Sequence, residues 1–119
     1  MRLRLPQRRQ TVDFDELTPF EQAAARFNAS DAGQAVSGLV RTLGEPRVSV
    51  GAAAGSPCEV RVTVAWELSW YQWGLDLEDE ARGVRELGKG REIAEIDSPA
   101  RQWNAAADAD GQIVVSRRG

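Results

Sequence analysis

The side chains with chemical reach are few, and their spacing keeps them apart. Histidine is absent, which closes the Ser–His, Cys–His and imidazole–metal routes to catalysis. Cys58 stands between Pro57 and a strand-like run, with only Arg or Lys to draw out a thiolate; it reads as a small apolar residue at a strand start. Lys89, the only lysine, sits in Gly88-Lys89-Gly90, an exposed-turn setting rather than the desolvated pocket that an imine-forming amine needs. Glu59 and Glu67 share one strand parity, but their spacing exceeds the roughly 5–9 Å of a glycosidase carboxylate pair.

Metal and phosphate chemistry fare no better. Residues 106–113, AADADGQI, echo the middle of an EF-hand loop, yet Ala106 and Arg117 stand where the first aspartate and the bidentate glutamate belong. Asp110-Gly111 is therefore read as a turn. Asp76, Glu78, Asp79 and Glu80 form an acidic cluster, the pattern of a solvated, self-repelling loop. The run from Gly83 to Gly90 has a Gly-Lys pair but no following Ser or Thr and no first glycine at phosphate-loop spacing. The expectation is a chain with no catalytic residue, no metal ligand and no cofactor.

Aromatic residues carry the remaining functional reach. Trp66, Trp70, Tyr71 and Trp73 fall within eight positions. Val60, Val62, Val64, Trp66, Leu68 and Trp70 alternate with Glu59, Arg61, Thr63, Ala65, Glu67 and Ser69, the period-two pattern of a half-buried strand. At Trp70-Tyr71 the parity flips, and Tyr71, Trp73, Leu75 and Leu77 continue it. A flip of this kind predicts a bulge or sharp bend near 70–74, which either splits the run into two strands or lets one long strand bend across the core. Trp66 and Trp70 would then point to one face and Tyr71 and Trp73 to the other. Tyr71, Trp73 and Leu75 become the candidate binding surface, open to a second subunit, another protein, an apolar ligand or a sugar.

The elements that must position these residues are legible in part. Thr18-Pro19-Phe20-Glu21 is a capping box with Pro at the first helical position, and Phe20, Ala23, Ala24 and Phe27 make one helical face. Ser30 caps a second helix carrying Val36, Leu39, Val40 and Leu43, stopped at Gly44-Glu45-Pro46. Strand-like segments follow at 47–50 and 59–77, then at 84–96 with an interruption at Gly88-Lys89-Gly90. Ser98-Pro99 predicts a third helix carrying Trp103, Ala106 and Ala107, and Ile113–Val115 predicts a final strand. The fold class expected is α+β: two N-terminal helices, an antiparallel sheet of about three to five strands with one long bent Trp-rich strand, a C-terminal helix and a short last strand.

Length and charge bound the rest. A chain of 119 residues is one domain's worth, so 1–119 is read as a single domain with 1–12 as a basic arm or an edge strand. Leu, Ile, Val and Phe number only 26 against 17 Ala, so the four Trp must supply much of the buried area, each on the order of 200 Å². A net charge of −3 disfavours broad nucleic-acid binding; the four arginines at positions 2, 4, 8 and 9 are a local exception. One cysteine suits a reducing compartment, and no run approaches the ~18 apolar residues of a membrane helix, so a cytoplasmic protein is expected. The functional expectation is a small, non-enzymatic module for protein binding or self-association through a Trp-rich sheet surface, its partner a second copy or another protein. One alternative is a small-molecule binder or minor enzyme with a pocket beside the bent strand, using Glu67 or Tyr71. Another is an acidic toxin-neutralising or regulatory partner protein.

Overall fold

The computed structural model describes residues 17–53 and 56–116; the expected basic arm at 1–12 lies outside the described residues. Helix α1 (Pro19–Asn28) begins where the capping box places it: Thr18 Oγ1 accepts from Glu21 N at 3.1 Å, and Glu21 Oε1 accepts from Thr18 N at 2.9 Å. It buries Ala23, Ala24 and Phe27. Helix α2 (Asp31–Leu43) follows after only Ala29 and Ser30, whose hydroxyl accepts from Gly33 N at 3.2 Å. The corner is tight enough to demand a glycine. A Cβ on Gly33 would lie 2.8 Å from Asn28 Cα and 2.9 Å from Asn28 O. Gly44, at φ +92°, ends α2 in a conformation that side chains disfavour.

Six strands follow: β1 (Arg47–Ala53), β2 (Ser56–Trp66), β3 (Ser69–Asp76), β4 (Arg85–Gly90), β5 (Ala105–Ala107) and β6 (Ile113–Val115). They form one antiparallel sheet in the order β4-β3-β2-β1-β5-β6. The α+β class holds, the described residues forming two α-helices and one more strand than the upper expectation. Both helices pack on one face of the sheet, over Val48, Val50, Val60, Val62, Val64, Trp66, Trp73 and Leu75.

Three expectations are corrected. The long Trp-rich run is not one bent strand but a hairpin, closed by Glu67-Leu68 with Trp66 opposite Ser69. A two-residue turn sets even-numbered positions of β2 opposite odd-numbered positions of β3, so the parity flip is the mark of chain reversal. Gly88-Lys89-Gly90 does not interrupt a strand; it belongs to β4, where Gly88 and Gly90 pair with Gln72 and Trp70. The third helix is absent. Ser98–Ala100 forms a single 3-10 turn, Trp103 takes φ +50°, and Ala105–Ala107 is a strand. The physical reason lies in β1, whose outer edge needs partners. Asn104 supplies them, accepting from Val50 N at 2.9 Å and donating to Val50 O at 2.8 Å. Gln102 N donates to the buried Ser49 Oγ at 3.2 Å. Those contacts draw the chain out along β1 before a helix can propagate.

Candidate functional site

The hairpin decides where the aromatic residues go. Leu75 is fully buried, Trp73 is 8% exposed and Tyr71 is half-buried. All three face the helices, on the same side as Trp66. Trp73 meets Phe27 edge-on with ring centroids 5.1 Å apart and stacks on Tyr71 at 5.9 Å, while Tyr71 meets Trp66 edge-on at 6.3 Å. The residues expected to form an open binding surface are thus the centre of the helix–sheet core. Trp70 alone points to the reverse face.

That reverse face is closed by residues 91–104. The Trp70 indole lies over the two glycines of β4: a Cβ on Gly88 would sit 3.8 Å from its ring, and one on Gly90 would fall 2.6 Å from Nε1. Nε1 donates to Glu95 Oε1 at 3.0 Å, which also accepts from Arg91 N and Glu92 N. The Trp70 hydrogen bond, then those from Glu92 and Arg91, hold the Glu95 carboxyl below its ordinary range. Asp97 takes both guanidinium nitrogens of Arg61, at 3.2 and 2.8 Å. Beneath this strap runs a buried polar row across β1, β2 and β3, formed by Ser49, Thr63 and Gln72.

The strap, the start of β1, the end of α2 and the hairpin tip line a concavity of about 680 Å³. Trp66 and Ala65 lie at its base, with the Trp66 indole fixed by donation to Gly44 O at 2.8 Å. Leu43, Leu68 and Ile93 give it apolar walls; Glu45, Glu67 and Glu92 ring it with carboxylates. Arg47 is the one basic residue among its lining, and its guanidinium stands 5.8 Å from the Trp103 ring. Leu43 is 48% and Leu68 79% exposed.

Elsewhere two further ion pairs stand among the described residues. Glu59 pairs with Arg85, and Asp76 lies 3.6 Å from Arg82. Cys58 hydrogen-bonds Glu78, which pushes its thiol pKa up; burial and the charges of Glu78 and Asp76 act the same way. A thiol so placed is a poor nucleophile. Among the described residues, no group of three or more His, Cys, Asp or Glu is placed to hold a metal ion, and no helix is long and apolar enough to cross a membrane. Lys89 is exposed on β4.

Of the aromatic and ionisable residues singled out from sequence, Trp66 and Glu67 line the concavity. Leu43, Glu45, Arg47, Leu68, Glu92 and Ile93 were not anticipated there. One signal was available for Leu68: reading the parity flip as chain reversal puts Glu67-Leu68 at a turn, where a leucine has no core to enter. Comparison with protein-family models, curated proteins and solved structures found no match.

Proposed function

We propose that this chain is a non-enzymatic protein-interaction module that holds a cationic, apolar segment of another protein in the concavity at the hairpin end. The observation that carries this reading is the joint exposure of Leu43 and Leu68 on one acid-rimmed cavity. Full burial of a leucine side chain contributes on the order of 2 kcal/mol, so covering the parts now in water supplies an apolar anchor. The rim sets three carboxylates against one guanidinium, and that guanidinium is turned over Trp103. Complementary charge governs partner choice and encounter rate more than raw affinity. The partner chemistry that fits is therefore leucine-like side chains interspersed with Arg or Lys.

Two peptides of equal length test it, one alternating Leu with Arg and the other Leu with Glu, titrated against the full chain by two-dimensional amide NMR. The cationic peptide should shift resonances at Leu43, Glu45, Leu68 and Ile93. Its binding should weaken with salt, and by about tenfold in Glu67→Lys and Leu68→Asp variants. Equal response to both peptides, or no response to either at millimolar concentration, overturns the proposal.

A second reading has its own support. The cavity volume lies within the roughly 300–1,000 Å³ of small-molecule sites, and Glu67 offers a carboxylate to a cationic ligand. Saturation of the same resonances by an aromatic amine fragment, with both peptides silent, would select that reading.

A further inference from the structure

The two edges of the sheet are treated differently, and the difference does not depend on the concavity. At the β6 edge, Asp108 N donates to Gln112 O and Ser116 N to Asn104 O, each at 2.9 Å. In an alternating antiparallel ladder, that phase turns the N–H and C=O of Ile113 away from β5. Asn28, at the end of α1, takes both: its amide nitrogen donates to Ile113 O at 3.0 Å and its carbonyl oxygen accepts from Ile113 N at 2.8 Å. This edge is blocked at Ile113.

Among the described residues, no side chain covers the β4 edge in this way. Leu77 N donates to Cys58 O at 3.0 Å, which fixes the ladder phase so that Trp70, Gln72 and Gly74 turn their backbone groups toward β4. Their partners there are Gly90, Gly88 and Arg85. Lys89 consequently faces outward beside the bulge at 86–87, and among the described residues Glu86, Leu87 and Lys89 enter no side-chain hydrogen bond or ion pair. An uncovered edge is a template for another strand.

We propose that a second copy of this chain pairs antiparallel along β4, about a two-fold axis between Leu87 and Gly88, joining two six-stranded sheets into one. Charge selects this occupant. The bulge between Gln72 and Trp73 sets Glu86 opposite Trp73 and Lys89 opposite Tyr71, so both lie on the helix face, and both are exposed. The two-fold axis places Glu86 against Lys89 of the partner subunit, and Lys89 against Glu86 of the partner subunit. On the reverse face, Leu87, 44% exposed, comes over Gly88 of the partner subunit. Leu87 already packs this way within its own sheet, where a Cβ on Gly74 would lie 3.0 Å from Leu87 Cδ1. An edge lysine alone discourages pairing; opposed to Glu86 twice, it specifies one register and one self-complementary partner.

Sedimentation equilibrium on the full chain, with native mass spectrometry of mixed variants, tests the pairing. The unmodified chain should dimerise at tens of micromolar. Glu86→Lys and Lys89→Glu should each weaken the dimer about tenfold or more, because each puts like charges opposite one another twice. An equimolar mixture of those two variants should form heterodimers in preference to either homodimer, and the double variant Glu86→Lys/Lys89→Glu should dimerise as the unmodified chain does. Zero-length carbodiimide coupling should join Lys89 to Glu86 between copies. A chain that stays monomeric at 1 mM, or a dimer indifferent to both single substitutions, overturns the proposal. Both positions are exposed, and circular dichroism on each variant checks that it is folded.

Discussion

Replacing Trp73 by alanine separates a core role from an interface role. Trp73 is 8% exposed, meets Phe27 at 5.1 Å and stacks on Tyr71 at 5.9 Å. A tryptophan side chain buries about 200 Å², which at about 25 cal/mol per Å² corresponds to about 5 kcal/mol. That figure is an upper bound, because the unfolded chain already covers part of its apolar surface. Large-to-small substitutions of buried aromatics lower stability by about 3–5 kcal/mol. The two routes meet near 4 kcal/mol. Against a total of about 5–15 kcal/mol for an ordinary domain, this is a large share. Trp73→Ala should therefore lose most of its urea resistance, and its thermal midpoint should fall by about 15 °C. Far-ultraviolet circular dichroism under urea and heat reads both. Trp73→Phe, which keeps an aromatic partner for Phe27, should retain more than half of the lost stability. A Trp73→Ala variant within about 1 kcal/mol of the unmodified chain, impaired only in association, would refute the placement of this residue in the core.

Two further predictions concern backbone space and pH. Gly33→Ala should destabilise by about 2 kcal/mol or more, because the new Cβ meets Asn28 backbone atoms that have nowhere to go, whereas Gly38→Ala should stabilise α2 by about 1 kcal/mol, since that position opens onto space within 4 Å. Paired urea titrations should show opposite signs, and a shared sign would discredit the corner geometry. The Glu95 carboxyl is held low by Trp70 Nε1 and then by the N–H groups of Glu92 and Arg91. Its contribution is present above its ordinary value of 4.5 and is lost as pH falls through the lowered folded value. The indole N–H resonance of Trp70 should move in that acid range, and Glu95→Gln should abolish the movement. Persistence of the titration in that variant would assign it to another group.

Local chemistry and tertiary demand differ in how far they can be read from sequence. Thr18, Pro19 and Glu21 act within one turn of one another, so their capping box needs nothing from the rest of the chain. Ser30, Gly44 and the Asp110-Gly111 turn are equally local. Glu67-Leu68 is not, because it lacks the Gly, Asn or Asp that commonly marks a two-residue hairpin. A bulge and a reversal produce the same parity flip, and the neighbouring strands decide between them. Ser98-Pro99 does start a helical turn, as its residue types direct. The turn stops at Ala100 because Asn104 is recruited to the edge of β1, a contact spanning more than fifty positions. The concavity was invisible for the same reason. Leu43, Leu68 and Ile93 come from three separate segments, and only the sheet register brings them to one place.

The length of one turn also decides where the molecule has apolar surface left over. With two residues at the tip, Val60, Val62, Val64 and Trp66 share a face with Tyr71, Trp73 and Leu75. Four aliphatic and three aromatic side chains from one hairpin then suffice to meet two short, Ala-rich helices. One more residue in the turn would shift β3 by one position and bring Trp70, Gln72 and Gly74 under the helices. Trp73 and Leu75 would be turned to the reverse face, and the core would hold an amide and a glycine in their place. The observed turn resolves a thin composition in favour of one continuous core, and it leaves Leu68 stranded at the tip beside Leu43. Among the described residues, the large apolar side chains still exposed are Leu43 and Leu68 at the hairpin end, Leu87 on β4 and Val114 on β6, while helices and strap lie over the sheet's faces.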